Sequence, residues 1–170
     1  MAQKKKYTKD ELADWFYGKA RTAAGFRKRI IDNNPNRGRD TPVIGSMFFF
    51  WYDAKHKKTL PIWDRFPLVF PIERYSDGFL GCNLHYLYSW ERQALVDELS
   101  KYAILYRNNT IKRLEISYSI LQSTKKMASA SRECIKRYLF SHVRSRFVLV
   151  TPDEWSLAVA LPTELWVTKK

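Results

Sequence analysis

Residues 43–52, Val43-Ile44-Gly45-Ser46-Met47-Phe48-Phe49-Phe50-Trp51-Tyr52, open the stretch that decides the fold. They are rich in aromatic and β-branched side chains, the types that suit a pleated, half-buried surface. Phe66 to Ile72 reads as a second short apolar strand, edged by Pro67 and Pro71. Phe79 to Leu87 reads as a third. Between them, Tyr75-Ser76-Asp77-Gly78 is a tight-turn sequence, because Asp and Gly tolerate the backbone angles of a hairpin. The first connection, Asp53 to Arg65, is long and carries Lys55, His56, Lys57 and Lys58. Short antiparallel strands with a long first loop predict an α+β fold: a small antiparallel SH3-like β-barrel or sheet flanked by N- and C-terminal helices.

Upstream, Thr8-Lys9-Asp10-Glu11 has the pattern of a capping box, and Leu12, Trp15 and Phe16 follow at helical spacing. Residues 33–42, from Asn33 to Pro42, form a loop by their Asn, Pro and Gly content. Downstream, Ser89 can cap a helix from Trp90 to about Tyr102, with Leu95, Val96 and Leu99 on one face. Arg107 to Gln122 fits neither period cleanly. Ser129 or Ser131 starts a predicted helix whose Ile135, Leu139, His142, Val143 and Phe147 face inward. Phe147 to Val150 can close the sheet. Thr151-Pro152-Asp153-Glu154 combines an N-cap, Pro at the first helical position and Glu at the third, for a short helix ending at Leu161-Pro162. The organisation expected is a basic arm and helix over 1–42, then one α+β domain over 43–170. That domain divides into a β-core at 43–88, a helical region at 89–147, and a closing strand and short helix at 147–165.

Charge is partitioned along the chain. Residues 1–40 carry eleven Lys/Arg against five Asp/Glu, and residues 101–147 carry eleven against two. The segment 41–100 has six against seven, so the excess positive charge behind the net +13 sits entirely on two flanks of a near-neutral, aromatic centre. Such a body suits a dense negative surface, of which a phosphate backbone is the commonest. A solvated basic face that only aids solubility is the plainer reading of the same residues. Six Trp, ten Tyr and ten Phe exceed what a core of this size needs, which points to an assembly surface as well.

Cys82 and Cys134 read as buried free thiols of a reducing compartment. The start of the chain lacks an apolar signal region, and the longest apolar run, Met47 to Tyr52, cannot span a bilayer. A soluble protein made in the cytoplasm, with no membrane partner, is the expectation. No metal or cofactor is expected either. The spacing Cys82-Asn83-Leu84-His85 could serve a metal pair, but the remaining Cys and His are scattered, and both residues read as packed strand residues. Asp53, Asp64, Glu73 and Asp77 could hold magnesium for phosphodiester hydrolysis, with Lys55, Lys57 and Lys58 nearby. Asp77 is accounted for by its turn and Asp53 by a strand end. No phosphate-binding Gly loop and no serine elbow is present.

Several stretches carry a resemblance. They are Phe50-Trp51-Tyr52-Asp53-Ala54-Lys55-His56-Lys57-Lys58-Thr59-Leu60-Pro61, then Trp63-Asp64-Arg65-Phe66-Pro67-Leu68-Val69, then Asp77-Gly78-Phe79-Leu80-Gly81-Cys82-Asn83-Leu84-His85-Tyr86-Leu87. Ile135-Lys136-Arg137-Tyr138-Leu139, Glu154-Trp155 and Leu161-Pro162-Thr163-Glu164 add to them. Over about residues 20–165 the chain resembles a family of small proteins of large contractile-tailed lytic bacteriophages. That family is associated with the virion and genome packaging, as the DNA-end protector is. Members often carry Tyr-Tyr where this chain has Ile62-Trp63, a conservative departure. The resemblance implies a phage protein present in the host cytoplasm during assembly and then in the virion.

Charge and resemblance together predict a non-enzymatic virion or packaging protein that binds the DNA backbone without sequence preference. Lys4, Lys5, Lys6, Arg27, Lys28, Arg29, Arg37, Arg39, Arg132, Lys136, Arg137, Arg144 and Arg146 are the expected phosphate contacts. Phe48, Phe50, Tyr52, Trp63 and Trp90 are the expected contacts to other virion proteins or a second copy. One alternative is a tail, baseplate or neck component that meets only acidic protein neighbours. The other is the metal-dependent nuclease.

Overall fold

The computed structural model describes residues 38–105, 108–127, 134–160 and 165–167. Its centre is a six-stranded antiparallel sheet. The strands are β1 (Gly38–Arg39), β2 (Met47–Phe49), β4 (Leu68–Arg74), β5 (Gly78–Asn83), β6 (Ile135–Leu139) and β7 (Phe147–Val150). Their order is β1-β7-β2-β4-β5-β6, an open sheet with β1 and β6 at opposite edges and not a closed barrel. A separate ribbon pairs β3 (Ile62–Asp64) with β8 (Leu165–Val167), Trp63 opposite Trp166. Helices α1 (Ser89–Leu105) and α2 (Thr110–Met127) lie between β5 and β6 in the chain. Sheet and helices together make the α+β fold expected from the sequence. The expected N-terminal helix lies outside the described residues.

Both faces of the sheet are covered. Leu68, Phe70 and Ile72 of β4 point to one side, where Val96, Leu99, Leu121 and Trp155 bury them. Val69, pointing the other way, joins Phe48, Phe50, Phe79, Tyr138 and Phe147 in an aromatic layer. Strand alternation divides the Met47–Phe50 run between the two cores, Met47 to the helices and Phe48 and Phe50 to the aromatics. Phe50 sits edge-on to Tyr138 at 5.2 Å between centroids, and Phe79 stacks on the same ring at 5.2 Å.

The hairpin at Tyr75-Ser76-Asp77-Gly78 forms as expected, with Tyr75 N–H donating to the Gly78 carbonyl at 2.8 Å. Gly78 has a second reason to be glycine. A Cβ there would collide with the Tyr138 carbonyl of the paired strand. The capping sequence 151–154 also forms: Glu154 Oε2 accepts from Thr151 N–H at 3.2 Å, and α3 (Trp155–Val159) follows. Asn109 caps α2 by accepting from Lys112 N–H at 3.0 Å. The segment that fitted neither period is this helix. Its buried stripe runs through Ser117, a polar residue, before reaching Leu121. Ser117 is small because the Gly45 turn approaches it closely; a Cβ on Gly45 would lie 3.1 Å from Ser117 Cβ.

One expected element is corrected. Ile135–Leu139 is a strand followed by a short 3-10 turn, Phe140–His142, not the body of a helix starting at Ser129 or Ser131. Residues four apart share a face in a strand as well as in a helix, so Ile135 and Leu139 satisfied both readings. The second edge of β5 decides between them. Its N–H and C=O groups need partners, and Ile135–Leu139 supply them over five register pairs, from Cys82 opposite Ile135 to Gly78 opposite Leu139.

Candidate nucleic-acid interface

Beyond β2 the chain leaves the ladder in extended form and crosses under the loop before β7. Tyr52 N–H donates to the Arg65 carbonyl at 3.0 Å, Asp53 N–H to the His142 carbonyl at 3.0 Å, and Arg144 N–H to the Trp51 carbonyl at 2.8 Å. The next residues coil tightly, Thr59 and Leu60 N–H both donating to the His56 carbonyl. This coil leaves Lys55, His56, Lys57 and Lys58 exposed above β3.

Two cavities lie side by side beneath the coil, and the Trp63 side chain borders both. The first encloses about 370 Å³. Its walls are Ile62, Trp63, Tyr86 and Tyr138, its floor Asp64 and Asn83, and its rim Lys55, Lys136 and Arg137. The second, about 650 Å³, is lined by Trp51, Asp53, Lys57, Trp63, Arg65 and Arg144. Among the described residues, six cationic side chains thus surround an aromatic cleft that holds two carboxylates. Lys136 places its ammonium 4.5 Å from the centre of the Tyr86 ring, and Arg65 its guanidinium 4.9 Å from that of Trp51.

A buried polar network sets the floor. Asp64 is 5% exposed and accepts three hydrogen bonds, from Phe66 N–H at 3.0 Å, Asn83 Nδ2 at 3.1 Å and His85 Nδ1 at 2.6 Å. A carboxylate only accepts, so the proton of that last bond sits on His85 Nδ1. Asn83 also donates to the Tyr138 hydroxyl at 3.1 Å and accepts from His85 N–H at 3.0 Å. Burial holds the Tyr86 and Tyr138 phenols protonated well above their usual range. At the rim, the hydrogen bond from Lys57 holds the Asp53 carboxyl below the ordinary range, with Arg144 adding to it.

The structure gathers some of the expected phosphate contacts and separates others. Lys136, Arg137 and Arg144 reach the cleft. Arg146 and Arg39 lie toward the β1 edge instead, Arg146 against Asp40 at 3.2 Å. Arg137 pairs with Asp77 and covers Tyr75, and Arg144 lies 3.7 Å from Asp53. Lys4, Lys5, Lys6, Arg27, Lys28, Arg29, Arg37 and Arg132 fall outside the described residues. Lys55, Lys57, Arg65 and Trp51 were not among the expected contacts. For the two lysines the signal was the basic run at 55–58, which the nuclease reading had absorbed.

The expected partner contacts are corrected in part. Phe48 and Phe50 are fully buried and Tyr52 nearly so, because the sheet is covered on both faces; they belong to the core. Trp63 borders the cleft. Trp90 is 70% exposed on α1, beside an apolar groove that includes Leu87, Leu95 and Ile120. Cys82 and Cys134 are buried free thiols. Among the described residues no three His, Cys, Asp or Glu side chains gather as metal ligands would, and no helix is long and apolar enough to cross a membrane.

A family model described as the phage T4 terminal DNA protecting protein matches residues 4–170. The chain belongs to that family. No curated protein and no solved structure matches it. The resemblance carried by the motifs around Trp51–Pro61 and Gly78–Leu87 is thus a family relation that extends over nearly the whole chain, and it associates the protein with the phage particle.

Proposed function

We propose that this protein is a non-enzymatic, DNA-binding component of the phage particle that covers the ends of the genome by gripping backbone phosphates without reading sequence. The observation that carries this is the cleft of six cations around aromatic walls, in a chain of net +13 whose family is named for protecting DNA termini. Cations track a phosphate backbone and the half-buried rings of Trp51 and Trp63 give bases a surface to stack on, which together produce sequence-tolerant binding. The acidic neighbours of Arg137, Arg144 and Lys57 do not oppose this. Those pairs are surface-exposed, and such pairs contribute only about 0–1 kcal/mol, so exchange for a phosphate is cheap.

Duplex binding across a salt series tests the reading. Log affinity is expected to fall with log salt by about 0.9 per phosphate neutralised. An affinity insensitive to salt would remove phosphate contact as its basis. The tail or baseplate alternative predicts that charge reversal at Lys136 and Arg137 blocks particle assembly with DNA binding unchanged. The nuclease alternative predicts fragments from linear DNA and magnesium, abolished by Asp53→Asn and Asp64→Asn.

A further inference from the structure

We infer that the smaller cavity receives the unpaired nucleobase at a DNA terminus, stacked against the half-buried Trp63, while the attached phosphates stay at the basic rim. This rests on the DNA-binding reading above and deepens it. That reading requires phosphates only; the cavity adds a place for a ring.

The sign of charge changes with depth. The rim is cationic, with Lys55, Lys136 and Arg137, whereas the floor holds the Asp64 carboxylate beside the Asn83 amide. A phosphate lodged at the floor would meet Asp64 and be repelled. A neutral ring whose edge carries N–H donors meets an acceptor instead. Asp64 has about four acceptor positions and uses three within the protein, which leaves one for such an edge. Nucleobases with an exocyclic amine present that donor, and acidic side chains accept from it in base recognition.

The walls suit the faces of the same ring. Trp63, Tyr86 and Tyr138 give the cavity aromatic walls beside the aliphatic Leu60 and Ile62, and its volume of about 370 Å³ falls in the ~300–1,000 Å³ range of small-ligand sites. Tyr86 is held in place by its hydroxyl, which approaches the Ile62 carbonyl at 3.4 Å, and by Lys136 above its ring. Lys136 therefore stands where the phosphate of an inserted nucleotide would emerge. The adjoining cavity continues past Trp63 to Arg65 and Arg144, a path for the following phosphates. Insertion of one base needs an unstacked nucleotide, and a duplex supplies that most cheaply at its end.

The test uses the full chain and a hairpin duplex with one open end and a single-nucleotide overhang. In one form the overhanging nucleotide carries cytosine; in the other it is abasic, with every phosphate retained. The abasic form is expected to bind about 5- to 150-fold more weakly, the loss of one base–aromatic stack. An abasic site placed within the stem is expected to change nothing. Trp63→Ala, with Trp63→Leu as a milder variant, is expected to erase the difference between the two ends and keep the salt slope. Equal, salt-dependent binding of both ends would overturn base insertion and leave the phosphate-binding reading standing. No binding of either form at low salt would overturn both. Deoxycytidine monophosphate that bound as tightly as the hairpin would overturn a DNA end as the source of the nucleotide.

Discussion

Replacing Asp64 with alanine tests whether the buried network holds the cleft together. The carboxylate is 5% exposed and accepts from Phe66 N–H, Asn83 Nδ2 and His85 Nδ1. Alanine removes all three acceptor contacts and leaves three buried or half-buried donors without them. Each unsatisfied buried donor costs about 1–3 kcal/mol, and removing one partner from a buried charged cluster costs about 3–5 kcal/mol in total. The second figure is the safer, because water can enter the cavity above Asp64 and relieve part of the loss. At ~2–4 °C per kcal/mol for a chain of this length, the midpoint of thermal unfolding should fall by roughly 6–20 °C. Calorimetry measures the shift, and urea unfolding checks that the slope with denaturant is unchanged. Asn83→Ala alone should cost less, since Asp64 would keep His85 and Phe66. The double variant should be non-additive by about 0.5–3 kcal/mol, as expected of residues that share a hydrogen bond. A fall of less than about 1 kcal/mol for Asp64→Ala, or strict additivity, would refute the view that this network organises β3 against β5.

Neutralising Lys136 with Gln should lower DNA affinity alike for unrelated sequences and reduce the salt slope by about 1, read from binding isotherms at several salt concentrations. Gly78→Ala should abolish folding or cost several kcal/mol, because its Cβ would meet the Tyr138 carbonyl and push β6 off β5; circular dichroism of the purified variant checks it. Alkali should destabilise the protein. Burial raises the folded-state values of Tyr52, Tyr86 and Tyr138 above the usual value near 10. Their stabilising contribution is complete below pH ~10 and declines as pH rises toward the raised values, since the unfolded chain loses those protons first. Tyr86→Phe should flatten the decline, monitored by denaturant midpoints and the phenolate absorbance.

Local patterns were sufficient where one short-range rule acts alone. Asp77-Gly78 marks a turn, Thr151 to Glu154 marks a helix start, and the short apolar, β-branched run Phe147–Val150 marks a strand. The charge partition and the family motifs were equally readable from the chain. Spacing became ambiguous where two periods coincide, as at Ile135 and Leu139, or where a small polar residue interrupts an apolar stripe, as at Ser117. There the unpaired edge of β5 and the close approach of Gly45 decided the outcome. The candidate site divides in the same way. Cationic and aromatic types could be counted from the sequence. The cleft itself exists only because β3, β5, β6 and the coil at 54–60 converge from distant positions, as in Asp64 with Asn83, 19 residues apart, and Asn83 with Tyr138, 55 apart. Which rings line that cleft and which disappear into the core also depended on the second covering of the sheet. Burial is a property of what packs on both faces, and no single strand carries that information.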